Sequence, residues 1–235
     1  MSGWTAKRFW KEAKAEAVEG GFTVRLDGRP VKTPAKAALL LPTRALAEAM
    51  AAEWNAQEGA VRPATMPLTR AANSAIDKVA PLRAEVIAEL AGYGGSDLVC
   101  YRAEGPQPLI DRQAAAWDPL VDWAATHLHA PLVLTHGVMP VAQPEASLAR
   151  LTGHVAGLSD FGLAGLHDLV AISGSLVLAL AVTEGRLTAE QAFAASRVDS
   201  RWQAEQWGED EEEAAAEAIR RDAFLQADRF FGLCR

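Results

Sequence analysis

Residues 196–213 read SRVDSRWQAEQWGEDEEE, and this stretch says most about how the chain folds and what it does. It combines two tryptophans with polar residues of the kind found at protein surfaces, and it ends in a dense run of acids. A helix start precedes it, because Thr188 is in an N-cap position and Gln191 completes a capping box. The pattern predicts one continuous helix over residues 188–207.

That helix has two stripes of different character at about 100° of rotation per residue. The apolar stripe is expected to face the core and consists of Ala194, Ala195, Val198 and Trp202. The polar stripe combines an aromatic side chain with hydrogen-bonding groups and consists of Ser196, Asp199, Gln203 and Trp207. Such a mixture is typical of a surface that binds another protein. We therefore predict a partner-binding site on the polar stripe, with Glu205 and the acidic run as secondary contacts.

The first third of the chain has a different pattern from the rest. Apolar and polar residues alternate over residues 22–26 and an Asp-Gly turn follows, which predicts a small antiparallel sheet. One helix should follow, beginning at Thr43 and ending at Gly59. The stretch VRPATMP at residues 61–67 contains two prolines and marks a domain boundary.

Downstream of residue 67 the spacing of apolar residues is helical. The apolar run 169–182 is expected to be one buried helix, because a bilayer span requires about 20 residues. The fold class is therefore α+β, with a β-rich domain over residues 1–66 and a larger all-α domain over residues 67–235. A last helix is predicted from about residue 209 to residue 231, and its inward face should consist of Ile219, Ala223, Ala227 and Phe230.

Composition and charge exclude several classes of function. A chain of 235 residues, half of them hydrophobic, can bury a substantial core. Residues 205–222 contain eight acidic and two basic residues, and the formal net charge of the whole chain is −7, which speaks against nucleic-acid binding. Two distant cysteines and the lack of a signal sequence predict a reducing, cytoplasmic setting without membrane insertion.

No recognised catalytic or cofactor motif occurs in the sequence. A phosphate-binding loop, a dinucleotide fingerprint, a nucleophile elbow and a zinc-protease helix are all missing from it. Two of the five histidines, His127 and His129, are close in sequence, but two positions on a helix would splay them apart. We therefore predict no enzyme activity, no cofactor and no metal site.

Short motifs spread over nearly the whole chain resemble one known family. Besides WQxxxWG at residues 202–208, they are RFWKEA (8–13), VRLDGRPVKTP (24–34), AEWNAQ (52–57), MPLTRAANSAID (66–77), SDLVCYR (96–102) and WDPLVDWA (117–124). Together they resemble the ATP-twelve family of ATP synthase assembly chaperones. The resemblance implies a protein that binds the unassembled alpha subunit of the soluble catalytic sector without turnover. A monomer suits a protein that holds its client one-to-one, so we expect a monomer. It also implies that Asp199 takes the place of the family's essential carboxylate.

Two other interpretations stay open at the level of the sequence. In the first, the protein is a cytosolic hydrolase or transferase that uses Asp199 and Glu205 as general acid and base. Six helical positions separate these two residues, so they should face directions about 120° apart. In the second, the protein is an ATP-binding assembly factor.

Overall fold

The structure, a computed structural model, describes residues 7–208 and 210–235. By their contacts the residues of the chain form two compact units. The division predicted between residues 66 and 67 falls inside the first unit and stays a prediction. The first unit consists of Met1–Arg83, Asp160–Gly165 and Arg229–Arg235, and the second consists of Ala84–Ser159 and Leu166–Asp228.

The first unit contains a three-stranded antiparallel sheet, which confirms the predicted one. Its strands β1 (Ala13–Val18), β2 (Gly21–Leu26) and β3 (Arg29–Pro30) are neighbours in chain order. The Asp-Gly turn between β2 and β3 has positive φ at both positions, 46° at Asp27 and 82° at Gly28. Aspartate and glycine adopt this left-handed backbone more readily than other residues, so the predicted turn forms at the predicted place.

Helix α1 (Arg44–Asn55) follows the sheet and begins after Thr43, whose hydroxyl accepts a backbone N–H of the first turn. It ends four residues before Gly59, so the predicted end was wrong. At its true end, the Asn55 side chain accepts the backbone N–H of Ala13 at 2.7 Å and donates to the carbonyl of the same residue at 2.8 Å. This pair of hydrogen bonds ties the end of the helix to strand β1.

Glu53 on α1 caps the next helix, α2 (Pro67–Ser74). One of its carboxylate oxygens accepts the N–H of Leu68 at 2.7 Å, and the other accepts the N–H and the hydroxyl of Thr69 at 2.9 Å and 2.7 Å. The N–H groups in the first turn of a helix have no partner within the helix. Since the N-cap residue Met66 makes no side-chain hydrogen bond, Glu53 supplies the missing acceptors from another part of the chain.

Helices make up most of the remaining described residues, which confirms the predicted α+β class. None of them combines the length and the apolar character needed to cross a membrane. Strands β4 (Tyr101–Arg102) and β5 (Thr135–His136) form a short parallel pair. The further helices are α3 (Arg83–Gly92), α4 (Gln107–Thr126), α5 (Glu145–Ala156), α6 (Asp160–Ser173), α7 (Leu176–Thr183), α8 (Ala189–Ser196), α9 (Val198–Trp207) and α10 (Glu211–Leu233).

The continuous helix predicted over residues 188–207 was wrong, because the chain breaks at Arg197. The capping box at Thr188 is present, but the backbone of Arg197 has φ −109° and ψ 14° and separates α8 from α9. The Arg197 guanidinium donates to the carbonyl of Ile172 at 3.1 Å and to the hydroxyl of Ser196 at 3.2 Å. The spacing of apolar residues in the sequence contains no information about such contacts with distant residues.

The assignment of the apolar stripe to the core was also wrong. Helix α9 contains no buried residue, and Trp202 is only partly covered. In α8, the buried apolar residues of the last two turns are Ala192 and Phe193. A stripe drawn along one helix does not apply to two helices, so α9 lies on the surface of the second unit with its whole circumference at least partly exposed.

The apolar run at residues 169–182 also forms two helices instead of the predicted one. Gly174, with φ 71°, ends α6, and the hydroxyl of Ser175 caps α7 by accepting the N–H of Leu178 at 3.0 Å. All eight residues of α7 are buried, so this short helix is a central part of the apolar core of the second unit. Other large side chains that are fully buried in this unit include Leu90, Trp117, Leu128, Leu151, Phe193 and Phe224.

Asp97 is fully buried and holds the start of α7 in place. One carboxylate oxygen accepts the hydroxyl of Ser175 at 2.5 Å and the N–H of Val99 at 3.2 Å. The other accepts the N–H of Val177 at 2.9 Å. Burial raises the pKa of the Asp97 carboxyl to about 6, and the hydrogen bond from Ser175 and those from the backbone act in the opposite direction.

The inward face of the last helix differs from the predicted one. Ile219 is 72% exposed and Ala223 is also exposed, whereas Ala227 and Phe230 are buried as predicted. Phe224 and Phe231, which periodicity passed over, are buried as well. Aromatic side chains gain more from burial than alanine does, so the helix turns its phenylalanines inward.

Glu53→Ala should lower the free energy of unfolding by about 1 to 2 kcal/mol, because the first turn of α2 loses its acceptors. Urea denaturation measures this change. The matched control is Glu48→Ala on the same helix, whose exposed carboxylate lies 3.9 Å from Arg44 and should contribute less than about 0.5 kcal/mol. Equal losses in the two variants would contradict a capping role for Glu53.

The Asp97 carboxyl should make stability depend on pH. Its ordinary pKa is 3.8 and its pKa in the folded protein is about 6. Between these values the folded state binds more protons than the unfolded state, so the free energy of unfolding falls as pH rises through this window. The total change should be about 3 kcal/mol.

The variant Asp97→Asn lacks the titrating group and serves as the reference in urea unfolding at a series of pH values. The stability of the wild type relative to this variant should decrease between about pH 4 and pH 6 and stay level above that range. Parallel pH profiles of the two proteins would show that Asp97 does not titrate in this window.

Candidate functional site

The buried amide of Gln113 fixes Asp199 on helix α9. Gln113 lies on α4 and is 2% exposed. Its Nε2 donates to Oδ1 of Asp199 at 2.7 Å, and its Oε1 accepts the backbone N–H of Ala103 at 2.7 Å. Because both ends of the amide are bonded, its orientation is set, and the position of the half-buried Asp199 carboxylate is set with it.

Arg112, the neighbour of Gln113 on α4, fixes another part of α9. Its Nη1 lies 2.8 Å and 2.7 Å from the two carboxylate oxygens of Glu205. The same guanidinium lies over the ring of Trp202, 4.8 Å from the ring centroid, in the geometry of a cation–π contact. The indole and the carboxylate are thus held by one arginine.

Trp117 of α4 anchors the junction between α8 and α9 from its buried side. This side chain is fully buried, and its Nε1 donates to the carbonyl of Ala195 at 2.8 Å. Ser196 is buried at 8% exposure, and its hydroxyl donates to the carbonyl of Phe193 at 2.8 Å. The Ser196 hydroxyl thus has its hydrogen-bond partner inside the chain.

A cleft of about 690 Å³ lies along one side of α9, and we call it the α4–α9 cleft. Three segments form it: the chain around β4 and the start of α4, the loop after β5, and α9 itself. Its lining is mostly apolar with several amide groups, a composition suited to peptide segments. The residues that line it include Leu109, Gln113, Val138, Asp199, Trp202, Gln203, Gln206 and Trp207.

A second cleft of about 550 Å³ lies between α9 and α10, and Gln203 and Trp207 line this one too. Trp207 therefore borders both clefts, and 79% of its surface is exposed. An indole that is exposed to water to this extent does not contribute the favourable free energy that its burial would give. Exposed tryptophans of this kind are preferred anchors at protein interfaces.

The acidic run is explained in part by helix electrostatics. Glu211, Glu212 and Glu213 occupy the first turn of α10, where the helix dipole favours negative charge. The carboxylate of Asp210 accepts the N–H groups of Glu212 and Glu213 at 2.8 Å and 3.0 Å. Glu209, the first residue of the predicted last helix, lies outside the described residues.

The structure brings together three of the five predicted contact residues. Asp199, Gln203 and Trp207 all line the α4–α9 cleft. Glu205 contacts Arg112 beside a different, smaller depression, and Ser196 is buried. The partner-binding roles of these residues stay predictions.

Periodicity missed Val138 and Gln206, which line the same cleft. Val138 belongs to the pair Val138-Met139 in a loop, and two large apolar residues beside Gly137 and Pro140 were a signal of an exposed turn. Gln206 adjoins Trp207 within the WQxxxWG motif, so its place in that motif was the signal that could have identified it.

The two carboxylates of the hydrolase interpretation have separate partners. Asp199 accepts from Gln113, whereas Glu205 pairs with Arg112. Across residues 7–208 and 210–235, no group of three or more His, Cys, Asp or Glu side chains is arranged to hold a metal ion. What this surface offers is hydrogen bonding, packing and charge.

Comparison with known proteins confirms the predicted family. The profile of the ATP12 chaperone protein family matches residues 7–125. The crystal structure of Atp12 from Paracoccus denitrificans is 53% identical and superposes with a TM-score of 0.95, over 98% of this chain and 99% of that one. A protein of known structure from Agrobacterium tumefaciens is 42% identical with a TM-score of 0.90, over 96% of this chain and 86% of that one.

A more distant relative is the mitochondrial protein atp12 of Schizosaccharomyces pombe. It is 24% identical in an alignment of 215 positions that covers 86% of this chain and 74% of the relative. The conserved architecture thus extends over nearly the whole chain, far beyond the segment that the family profile matches. On these grounds the chain belongs to the ATP12 chaperone family.

Proposed function

We propose that this protein is an assembly chaperone of ATP synthase that binds the unassembled alpha subunit through helix α9, without catalytic turnover. The observation that carries the proposal is Trp207, which is 79% exposed at the end of a helix that has no buried residue. The cytoplasmic location and the monomeric state predicted from the sequence are part of the proposal.

The surface of α9 has the composition of a binding site for a protein. Interfaces depend on a few anchors, most often Trp, Tyr and Arg, surrounded by polar groups that exclude water. Trp207 would be the anchor, and the exposed amides of Gln203 and Gln206 beside it can donate and accept hydrogen bonds. Gln113 and Arg112 on α4 hold helix α9 in place. The helix would therefore bind a partner without first changing its conformation.

Holding a subunit requires no chemical step. An unassembled subunit of an obligate complex exposes a large interface with apolar content, which associates wrongly when left uncovered. A chaperone that covers part of it lowers the concentration of the free surface by mass action. Release then follows when the true neighbouring subunit competes for the same surface.

Trp207→Ala should weaken binding of purified alpha subunit by about 2 kcal/mol, or about 30-fold in Kd, because the anchor is lost. Isothermal titration measures Kd, and the free energy of unfolding should change by less than about 0.5 kcal/mol, since the side chain is exposed. Ile219→Ala is the matched control, because Ile219 is 72% exposed. Unchanged affinity in Trp207→Ala would remove α9 from the interface.

Asp199→Lys should abolish binding of the alpha subunit, because it reverses a charge inside the proposed interface. The variant also leaves the buried amide of Gln113 without its acceptor, which should cost about 1 to 3 kcal/mol of stability. A pulldown with tagged alpha subunit and a thermal melt separate the two effects. Wild-type recovery of the alpha subunit by the variant would disprove the assignment of Asp199.

A further inference from the structure

Residues 133–139, which comprise strand β5 and the residues on either side of it, are mostly exposed beside the proposed binding helix, and we call this segment the apolar loop. Val138 is 90% exposed, more than any other large apolar side chain in the described parts of the chain, and Met139 is 72% exposed. Val133 and Leu134 are 41% and 40% exposed. Apolar side chains gathered on the surface in this way mark interaction sites more often than scattered single ones.

The apolar loop is held in shape by hydrogen bonds along its whole length. The buried side chain of Gln143 accepts the N–H of Val133 and donates to the carbonyl of the same residue, both at 2.8 Å. The N–H of Gly137 donates to the carbonyl of Arg102 at 2.8 Å. The hydroxyl of Thr135 donates to the carbonyl of Met139 at 3.0 Å. The exposure of the tip is therefore built into the fold.

The apolar loop and helix α9 belong to one continuous surface. Val138 lines the α4–α9 cleft together with Leu109, Trp202 and Trp207. The cleft volume of about 690 Å³ is within the range in which proteins bury whole ligands. It is large enough for several side chains of a peptide segment.

The charges in this cleft favour a cationic side chain. Asp199 Oδ1 accepts an uncharged amide, and no basic side chain in the described ranges forms an ion pair with Asp199. Arg102, the cleft's own cation, is 6% exposed and is paired with Asp118 at 2.7 Å. The Glu104 carboxylate lies against Gly137, 3.4 Å from where a Cβ on that glycine would be. An excess of negative charge remains for a partner to neutralise.

We propose that the apolar loop and the α4–α9 cleft together dock a segment of the alpha subunit in which apolar side chains flank a lysine or arginine. The apolar side chains pack against Val138, Met139 and Trp207, and the cation pairs with Asp199. This inference rests on the proposed function, and it adds the loop as a second contact and the chemistry of the bound segment.

The double variant Val138→Asp with Met139→Ser tests the loop. Titrated with purified alpha subunit, it should bind at least about tenfold more weakly than the wild type, because its apolar contact is replaced by polar and charged groups. The control is Leu82→Asp, which places the same charge at an aliphatic side chain that is 51% exposed and outside the cleft. Both variants should keep the thermal transition of the wild type, since none of the three positions is buried.

Three outcomes separate this inference from the proposed function. If the wild type does not bind the alpha subunit, both fall. If the wild type binds and the double variant binds within twofold of it, the docking role of the loop is overturned while the proposed function stands. If the double variant alone loses affinity and the control does not, the loop is part of the interface.

An array of overlapping peptides that covers the alpha subunit sequence tests the chemistry of the segment. The wild type should bind peptides with lysine or arginine among apolar residues, and replacing that cation by glutamate should reduce binding at least about tenfold. The bound peptides should also compete with the intact alpha subunit. Binding of acidic or uncharged peptides with equal strength, or an array without any bound peptide, would overturn the proposed segment.

Discussion

Hydrogen bonds at the Arg197 break determine where the exposed helix of the second unit lies. The guanidinium of Arg197 is bonded to Ile172, and the indole of Trp117 is bonded to Ala195. These contacts end α8 while its last turn is still packed in the core. Helix α9 then starts separately, contains no buried residue and carries its amides and Trp207 on the surface. The candidate site exists because the chain does not continue as one helix.

The motifs that reveal the family are mostly residues that hold the fold together. Glu53 and Asn55 in AEWNAQ cap α2 and bind strand β1, and Asp97 in SDLVCYR caps α7. Most of their partners are backbone groups at least 15 positions away in the sequence, and each buried backbone group requires a side chain with the complementary hydrogen-bonding atom. Recognition of the family and location of the proposed binding surface therefore rest largely on different residues, although WQxxxWG and the end of SDLVCYR, with Tyr101 and Arg102, also line the α4–α9 cleft.

Local chemistry was predictable from the sequence, and interruptions caused by distant residues were not. The Asp27 turn and the Thr188 capping box formed as predicted because both depend on neighbours within four positions. The breaks at Gly174 and Arg197 depend on contacts across the second unit. The periodicity of the apolar residues continues across both breaks and therefore predicted one helix in each place. On the site, the shared face of Asp199, Gln203 and Trp207 lies within α9 and was predictable. Val138 lies in a loop, and a loop has no periodic spacing of apolar residues from which its side chains could be assigned to a face.

The exposure of Met139 on the apolar loop has a chemical consequence of its own. A thioether in contact with solvent is open to oxidation, and the resulting sulfoxide is polar and chiral. Peroxide would thus change one apolar side chain at the tip of the loop into a hydrogen-bond acceptor without altering the net charge of the chain. Methionine sulfoxide reductases reverse this reaction, so oxidation of Met139 would make this part of the surface reversibly more polar.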